Sequence, residues 1–466
     1  MTDSPSDPSR GRRLTARSRD AALVFTLALL VRGAVVLWAK GRFPPADDGS
    51  FYDVVAARIA HGAGYTWLWP DGAVTYAAHY PVGYPALLGV VYALFGATPT
   101  AAMGFNALLG ALSALAAHTV MFWSGGRVRG LVAGLLIALH PGLVFYTPAL
   151  MTEGVAAELL VIALFLTCAA ARGRRAAGFL GLLGVCMGVL VLVRPQLLLM
   201  APLFGFFSLG ATQTRWGARA VRAGVVSALA VAVCLPWTAR NCARMDRCVF
   251  VSANGGWNLL IGSAPEANGG WIAIEGERVP PECRTVFGEA EKDRCFGQAG
   301  MANIRQRPWA FLALVPRKLS QTFDYFGAPG HYLYTSNYLA FDEARKMRLG
   351  VVETLWERLV LLAAIAQVAG RGQGQRRARL LGGAISAVFA LTRWGYLAYL
   401  GFVVTSLLAG RELLKRPVAA VSAGAILTTA LTHAVFFGAG RYGFVCAALL
   451  CLASVGEPEP RPSSSF

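Results

Sequence analysis

The residues best suited to acid–base chemistry are concentrated in one connecting segment, residues 44–85. This segment contains the adjacent acids Asp47 and Asp48, together with His79, several tyrosines and several prolines, and apolar stretches flank it on both sides. A connector of this length is usually functional. One carboxylate here could take a proton from an acceptor hydroxyl or amine while that group attacks an activated carbon. An inverting displacement requires only one such base, whereas glycoside hydrolysis requires a carboxylate pair.

The spacing around the two acids limits how they can act. Consecutive residues of a helix point about 100° apart, so Asp47 and Asp48 cannot form a paired dyad. Residues 50–60 have helical periodicity, which predicts a helix that begins near the acids, where the positive end of the helix dipole favours negative charge. One acid could face a site while the other caps this helix, or both could act only as caps.

Other charged residues near the ends of apolar stretches are candidates for the same site. A lipid-phosphate leaving group requires cationic groups that stabilise the departing charge. The candidates on the same side are His79, Arg194, Arg240 and Arg441. An arginine there could instead extend to lipid headgroups, and His79 could have a structural role. Glu153 is predicted to be functional because an acid this close to hydrocarbon is costly, although an N-cap role is the alternative.

The composition indicates that lipid is the solvent for much of the chain. Of the 466 residues, 56% are hydrophobic and 15% are charged, and the mean hydropathy is +0.51. A soluble protein could not bury that much apolar surface. The net charge of +18 comes from arginines in short runs between apolar stretches. That distribution is typical of cytoplasmic loops and not of one basic face, so we expect no nucleic-acid partner.

Apolar stretches of about 20 residues, oriented by Lys and Arg, predict an all-α polytopic membrane protein with about 11–13 crossings and both termini inside. Residues 84–96 are too short to cross comfortably and are predicted to lie along the outer interface. Residues 131–149 are predicted to form one crossing. The predicted organisation is a disordered cytoplasmic N-terminus (1–20), a transmembrane catalytic module (21–238) with an outer loop (40–100), an extracytoplasmic segment (239–349), C-terminal helices (350–456) and a cytoplasmic tail (457–466).

Four of the nine cysteines share the polar segment 239–349, namely Cys242, Cys248, Cys283 and Cys295. Four cysteines permit two disulfides, which predicts an oxidising compartment for this segment. Metal binding is the alternative, but no CxxC spacing supports it. The segment is long enough for a small mixed α/β unit, and we expect one there.

The order of motifs along the chain resembles that of a known enzyme group. Asp48 is followed four residues later by Tyr52, and the further motifs are HYPVGYPALLGVVYALFG from residue 79, HPGLVFYTPALMTE from 140, VRPQ from 193, LPWTARN from 235, VSANGGWNLLIGSAPEANGGW from 251 and HAVFFGAGRYGF from 433. This ordered set is similar to the C-type (GT-C) superfamily of membrane glycosyltransferases that use polyprenyl-phosphate sugars. Within it, the nearest branch is glycosyltransferase family 39, which includes protein O-mannosyltransferases and lipid A aminoarabinose transferases.

The resemblance implies roles for the acids. Asp48 would be the catalytic base, because its spacing to Tyr52 matches the family pattern. Asp47 stays an alternative, since the pair here is Asp-Asp followed by Gly49, where the family often has Asp-Glu and an aromatic pair. Glu153 would be the second outer acid, which orients the acceptor or binds a metal. A divalent metal is thus possible, and no other cofactor is implied.

The resemblance also implies the binding residues and the substrates. Arg441 and Tyr442 would hold the lipid phosphate, with His79, Arg194 and Arg240 as further candidates. Tyr52, Tyr80 and Tyr84 would line the substrate pocket. The donor would be a sugar on a polyprenyl phosphate, undecaprenyl phosphate in a bacterium, and the acceptor a protein, lipid or glycan. The protein would lie in the cytoplasmic membrane with its active site on the extracytoplasmic side.

Two other classes of protein fit the same composition. A transporter or flippase of lipid-linked sugars would have charged residues at mid-membrane and inverted repeats, neither of which is evident in the sequence. A non-catalytic membrane subunit could retain the fold without the activity.

Overall fold

A computed structural model describes residues 8–173, 175–210, 216–370 and 375–458. In these ranges the regular structure is helical apart from one two-stranded antiparallel sheet. Among the described residues, six helices are long and apolar enough to cross a membrane: Ser18–Ala39, Pro99–Gly125, Thr152–Ala170, Ala176–Val193, Trp216–Arg244 and Pro417–Val435. The predicted all-α, multi-pass membrane architecture is confirmed, whereas the total of 11–13 crossings stays a prediction.

The helices of the first half are α1 (Pro8–Ala39), α2 (Asp48–Ala60), α3 (Gly83–Phe95), α4 (Pro99–Gly125), α5 (Arg127–Ala138), α6 (Pro141–Phe145), α7 (Thr152–Ala170), α8 (Ala176–Val193), α9 (Ala201–Phe207) and α10 (Trp216–Arg244). Those of the second half are α11 (Gly255–Ser263), α12 (Glu289–Gln306), α13 (Pro308–Ala313), α14 (Val315–Phe323), α15 (Ala328–Ser336), α16 (Glu343–Gly370), α17 (Arg376–Ala390), α18 (Gly395–Leu407), α19 (Pro417–Val435), α20 (Gly440–Gly443) and α21 (Ala447–Val455). Short 3₁₀ helices span Pro195–Met200, Gly276–Arg278, Pro281–Cys283, Gly410–Lys415 and Phe444–Cys446. The strands are β1 (Thr66–Leu68) and β2 (Val74–Tyr76), paired in the register Thr66 to Tyr76.

Helix α4 packs against α1, α5 and α7 in the first half of the bundle. Its buried surface consists mostly of small residues, among them Gly110, Ala114 and Ala117. Small side chains let helix backbones approach closely, which is how helices associate in lipid without a hydrophobic driving force between them. The result is a packed scaffold from which the polar connecting segments emerge.

The stretch 131–149, predicted as one crossing, is broken in the structure. Helix α5 ends at Ala138, and the short helix α6 begins at Pro141. Proline has no backbone N–H and disfavours the helical conformation of the residue before it. The buried guanidinium of Arg32 donates to the carbonyl oxygens of Ile137 and Ala138 at 3.2 and 3.3 Å. Arg32 thus satisfies carbonyl groups at the end of α5, and Glu158, 3.7 Å from Arg32, compensates its buried charge.

The polar segment 239–349 is helical in the structure, from α11 to α15. The predicted mixed α/β unit is corrected here, because the two strands present in the described part of the chain lie in the first outer loop. Cys242 is bonded to Cys248, and Cys283 to Cys295. The prediction of two disulfides among these four cysteines is therefore confirmed.

The ends of the chain differ from the predicted organisation in one respect. Helix α1 begins at Pro8, inside the segment 1–20 that the sequence predicts to be disordered. Residues 1–7 of that segment, residues 459–466 of the predicted tail, and three arginines that are predicted to be cytoplasmic, Arg174, Arg215 and Arg371, lie outside the described residues.

Candidate active site

Asp48 is the first residue of α2 and lies between a hydroxyl and a guanidinium. The Tyr80 hydroxyl donates to its Oδ1 at 2.8 Å, and Arg441 Nη1 donates to its Oδ2 at 2.8 Å. The first turn of a helix favours a carboxylate because its free N–H groups carry partial positive charge. Three distant segments thus meet at one carboxylate: the start of α2, the turn before α3, and α20.

The electrostatics of this cluster keep Asp48 ionised. Burial raises the pKa of Asp48, but the charge of Arg441 and the hydrogen bonds from Tyr80 and Arg441 outweigh burial, and the pKa lies below its ordinary value. Its side chain nevertheless keeps 22% of its surface exposed. Asp48 is therefore an accessible, negatively charged proton acceptor at neutral pH.

Glu153 lies in the first turn of α7 and is enclosed by donors. Arg194 Nη1 lies 2.8 Å from its Oε1, the Tyr146 hydroxyl donates to its Oε2 at 3.3 Å, and Arg441 Nε is 3.7 Å from Oε1. Its side chain is 3% exposed. Asp48, Arg441, Glu153 and Arg194 therefore form a chain of alternating charges, with both arginines held by Glu153.

The ring of Tyr442 fixes the two arginines from a second side. Guanidinium carbons of Arg441 and Arg194 lie 5.1 and 5.3 Å from its centroid, and Arg441 Nη2 donates to its hydroxyl at 3.2 Å. The His433 ring stacks on Tyr442 at 4.1 Å between centroids, and His433 Nδ1 lies 2.7 Å from the Phe437 carbonyl oxygen. Stacking of guanidinium groups on an aromatic face restricts their rotamers.

Asp47 occupies a different environment from its neighbour. Its φ is 50°, in the left-handed region, which costs about 1–3 kcal/mol for a residue other than glycine. Its Oδ2 lies 3.9 Å from His331 Nε2, and the two side chains are 35% and 66% exposed. The two adjacent acids therefore diverge, as the sequence predicts, and only Asp48 contacts the arginines.

The packing at Gly49 explains why a glycine, and not an aromatic residue, follows the two acids in this chain. A Cβ at this position would lie 2.9 Å from the Tyr332 hydroxyl and 3.0 Å from the Leu150 carbonyl oxygen. The Tyr332 hydroxyl also accepts hydrogen bonds from the backbone N–H groups of Ala46 and Leu150. The start of α2 thus packs directly against α15 and the segment before α7, and this close approach requires glycine.

A cavity of about 900 Å³ opens beside the charged cluster. Polar groups on its wall are Asp47, Asp48, Ser320, Gln321, Asp324, His331, Lys346 and Arg441, and larger apolar or aromatic ones are Tyr146, Met151, Trp271, Tyr325, Tyr332, Met347 and Phe437. Trp271 is 60% exposed. Its loop is tied to the segment before α20 by a hydrogen bond from the Gly438 N–H to the Gly269 carbonyl oxygen at 2.8 Å. The cavity is large enough for a sugar with part of a prenyl chain.

His79 and Arg240, two candidate phosphate ligands, make structural contacts instead of joining the arginine pair. The backbone N–H of His79 donates to Glu289 Oε2 at 2.9 Å. The imidazole ring contacts the rings of Tyr80 and Trp257 edge to face, and burial lowers the pKa of His79. A neutral imidazole adds no positive charge that could balance a phosphate. Arg240 donates to the carbonyl oxygens of Ala77 and Tyr65 at 2.8 and 2.7 Å, which fixes the β1–β2 hairpin.

The three tyrosines predicted to line the pocket differ in position. Tyr80 contacts Asp48 directly. Tyr52 is buried, with its ring 5.4 Å from that of Tyr80 and 5.8 Å from that of Tyr84. Tyr84 is fully buried and donates to Asn106 Oδ1 at 3.2 Å. Tyr52 therefore packs against Tyr80, Tyr84 packs against Tyr52, and neither Tyr52 nor Tyr84 is among the residues that line the cavity.

The acids of the cluster are poorly arranged for a metal. In the described part of the chain, no group of three or more His, Cys, Asp or Glu side chains could hold a metal ion. Asp48 and Glu153 both face guanidinium groups, so a divalent cation would have to displace an arginine to reach either carboxylate. The possible metal role of Glu153 is not supported by this donor set.

Several residues that shape the charged cluster or the cavity could not be identified from the sequence alone. Glu289 accepts from the N–H groups of Ala78 and His79 and so holds the turn that carries Tyr80. His331, Asp324 and Lys346 line the cavity from α14–α16. They belong to no recognisable motif, and their importance depends on packing between distant segments.

A comparison with protein-family models finds no match, and a comparison with curated proteins finds none either. Among solved structures, the chain is similar to the oligosaccharyltransferase AglB of Archaeoglobus fulgidus in complex with an inhibitory peptide and a dolichol-phosphate, with 15% identity over 93% of this chain and 49% of that chain, and a TM-score of 0.44. The apo form of the A. fulgidus oligosaccharyltransferase gives 13% identity, 93% and 50% coverage, and a TM-score of 0.46.

The chain is also similar to ArnT of Cupriavidus metallidurans bound to undecaprenyl phosphate, with 15% identity over 93% of this chain and 77% of that chain, and a TM-score of 0.41. The chain spans about half the length of the archaeal enzyme. At this level of similarity, neither the activity nor the substrates of this chain follow from those structures, and membership of glycosyltransferase family 39 stays a prediction.

Proposed function

We propose that this protein is a membrane glycosyltransferase of the GT-C type, which transfers a sugar from a polyprenyl-phosphate donor to an acceptor at the outer face of the membrane. The observation that carries the proposal is the ionised Asp48 held 2.8 Å from Arg441 at the edge of a large cavity. A carboxylate and a fixed cation are the two groups that an inverting displacement of a phosphate requires. The motif order along the chain supports the same class.

The reaction is one concerted displacement. The acceptor oxygen or nitrogen attacks the anomeric carbon and forms the new glycosidic bond, while the bond from that carbon to the phosphate oxygen breaks. The electron pair of the broken bond leaves with the lipid phosphate, where Arg441 and Arg194 stabilise the charge. The acceptor proton goes to Asp48, and the sugar inverts at the anomeric carbon.

Binding of the donor phosphate to Arg441 would raise the proton affinity of the catalytic base, Asp48. In the free protein, Arg441 Nη1 is bonded to Asp48. A lipid phosphate that accepts hydrogen bonds from Arg441 neutralises the positive charge of its guanidinium. The phosphate therefore competes with Asp48 for the same guanidinium. Asp48 then loses the interaction that lowers its pKa, so its proton affinity rises when the donor is bound.

Glu153 acts in this proposal as a positioning residue. Its carboxylate is 3% exposed and is occupied by Arg194 and Tyr146. It therefore holds both arginines beside one carboxylate, with Arg194 at 2.8 Å and Arg441 at 3.7 Å from its Oε1.

Replacement of Asp48 by Asn tests the proposal. Asn keeps the size of the side chain but removes the proton acceptor, and general-base losses are typically about 10²–10⁴-fold. A deletion strain is complemented with the wild-type chain, Asp48→Asn or the matched Asp47→Asn variant, and envelope glycans and glycolipids are measured by mass spectrometry. Wild type and Asp47→Asn are expected to restore the missing sugar and Asp48→Asn is not.

Two outcomes would contradict the proposal. Full restoration by Asp48→Asn at normal expression would exclude Asp48 as the base. A deletion strain that loses no envelope sugar would instead favour the non-catalytic subunit.

A further inference from the structure

A second cavity lies at the other end of the helix bundle. It has a volume of about 610 Å³ and is bounded by the ends of α4, α7 and α9 and by the start of α19. Helix α7 connects the two cavities, with Glu153 in its first turn and Cys168 near its end. Fifteen residues of helix span about 22 Å, which is most of the thickness of a hydrocarbon core. The second cavity therefore faces the opposite side of the membrane.

Cationic side chains surround the mouth of this second cavity. Arg129, Arg172 and Lys415 are among its lining residues. The Arg172 guanidinium carbon lies 4.2 Å from the centroid of the Trp123 ring, and its Nη2 donates to the Trp123 carbonyl oxygen at 3.1 Å. Lys415 pairs with Glu412 at 3.0 Å. Arg172 is thus held in place at the rim by an aromatic ring.

The second cavity has an apolar wall and one carboxylate, whose negative charge is balanced by a helix N-terminus. Phe207, Leu209 and Leu414 form apolar parts of the wall. The acid in the lining is Glu457, whose Oε2 accepts from the N–H groups of Val418 and Ala419 at 3.2 and 3.3 Å, at the start of α19. The positive end of α19 balances this acid, so it offsets little of the positive charge at the rim.

We propose that this second cavity binds the phosphate headgroup of an anionic phospholipid. Basic pockets between membrane helices on the cytoplasmic side are suited to such headgroups. The apolar wall favours the lipid source of the phosphate, because a glycerol backbone and the first methylenes of an acyl chain can pack against it. Free phosphate would leave that wall uncovered.

The binding test uses the full chain in detergent with three probes: dioctanoyl phosphatidylglycerol, dioctanoyl phosphatidylcholine and inorganic phosphate. Affinity is measured by native mass spectrometry and by the shift in thermal unfolding midpoint. Each cation near a lipid phosphate contributes a factor of about five, so Arg129→Gln with Arg172→Gln is expected to weaken phosphatidylglycerol binding about 30-fold.

A matched variant controls for total charge. Arg376→Gln with Arg377→Gln removes two exposed arginines that are not part of the cavity lining. It lowers the net charge by the same amount but leaves the cations of the cavity in place, so phosphatidylglycerol binding should stay close to that of wild type. Ser124→Glu is the second variant, because Ser124 lines the cavity and a new acid there opposes an anion while all three cations remain. It is expected to weaken phosphatidylglycerol binding as well.

The proposal is overturned if the cavity double variant binds phosphatidylglycerol as tightly as the control, or, should that variant fail to fold, if Ser124→Glu binds it like wild type. Phosphatidylcholine binding as tight as phosphatidylglycerol would exclude the charge-based site. Equal stabilisation by inorganic phosphate would exclude the lipid as the ligand.

Discussion

At the scale of single residues, Arg441 connects the groups of the candidate site. It donates to Asp48, lies 3.7 Å from Glu153 and contacts the hydroxyl of Tyr442. In the proposed reaction it lowers the proton affinity of Asp48 until a phosphate binds. The same residue would then stabilise both the resting site and the leaving group.

This dual role predicts a difference between two pH profiles. In the free protein Arg441 helps to hold the pKa of Asp48 below its ordinary value, so kcat/KM for the donor should persist to acidic pH and fall only as Asp48 gains a proton. With the donor bound, the phosphate neutralises Arg441, and the acid limb of kcat should lie at higher pH than the acid limb of kcat/KM. Initial transfer rates at limiting and saturating donor across about pH 3–8 check this.

The Arg441→Gln variant supplies the control for that prediction. Without the guanidinium, burial raises the pKa of Asp48 with less to oppose it, so the acid limb of kcat/KM should move to higher pH and approach that of kcat. Coincident limbs in the wild type would refute the proposed activation by the donor.

At the scale of elements, the position of Asp48 depends on how tightly the start of α2 packs. Gly49 lies against Tyr332 of α15 and the carbonyl of Leu150. On the opposite side, Lys318 of α14 donates to the carbonyl oxygens of Ala434 and Val435 at the end of α19, just before the segment that carries Arg441. Helices of the polar segment 239–349 thus fix both partners of the Asp48–Arg441 pair.

Replacement of Gly49 by Ala should disturb this pair without touching its charges. The new Cβ would lie 3.0 Å from a backbone oxygen and 2.9 Å from the Tyr332 hydroxyl, and overpacking of this kind costs about 1–3 kcal/mol. We expect the transfer rate to fall by about tenfold or more, at about 1.4 kcal/mol per factor of ten, and the unfolding midpoint to fall.

Gly104→Ala is the matched control for Gly49→Ala. Gly104 lies in α4, and a Cβ added there would have no neighbouring atom within 4 Å, while alanine favours a helix over glycine by about 1 kcal/mol. Its activity should equal that of wild type, and its unfolding midpoint should be the same or higher. Both variants are compared by initial rates and thermal unfolding in detergent.

At the scale of the whole molecule, the two disulfides and the candidate site share the polar segment 239–349 and the loops that face it. Glu289 of α12 holds the turn that carries Tyr80, and Cys283–Cys295 joins α12 to the preceding loop. Because disulfides persist in oxidising compartments, this arrangement supports an extracytoplasmic site.

The sidedness can be measured on intact cells. After mild reduction, a membrane-impermeant maleimide should label Cys242 and Cys248, which are exposed and bonded to each other, and it should label neither cysteine without reduction. The free cysteines Cys168, Cys186 and Cys234 are buried or half-buried and serve as internal controls that stay unlabelled. Labelling that requires permeabilised cells would place the segment, and with it the candidate site, on the cytoplasmic side.

The amino-acid sequence by itself determined that this is a membrane protein, where most of its helices lie, and that the four cysteines of the polar segment could form two disulfides. It also made Asp48, Glu153, Arg441 and Tyr442 candidates for the active site. The first three depend on local composition and periodicity, which a single chain displays directly, and the candidate residues came from the order of motifs. Local patterns also predicted one crossing over residues 131–149, although Pro141 lies within this stretch. The buried Arg32 that satisfies the helix end is more than 100 residues away in the chain, so its contribution to the break is not visible in the local sequence.

Only the tertiary structure separated Asp48 from Asp47, paired Glu153 with Arg194, and assigned His79 and Arg240 to structural contacts. Asp48 and Arg441 are 393 residues apart in the chain, and Glu153 and Arg194 are 41 apart. Whether an arginine meets a carboxylate, a carbonyl or lipid is decided by the packing of distant helices. That packing is a sum of many weak contacts, and no short motif records it.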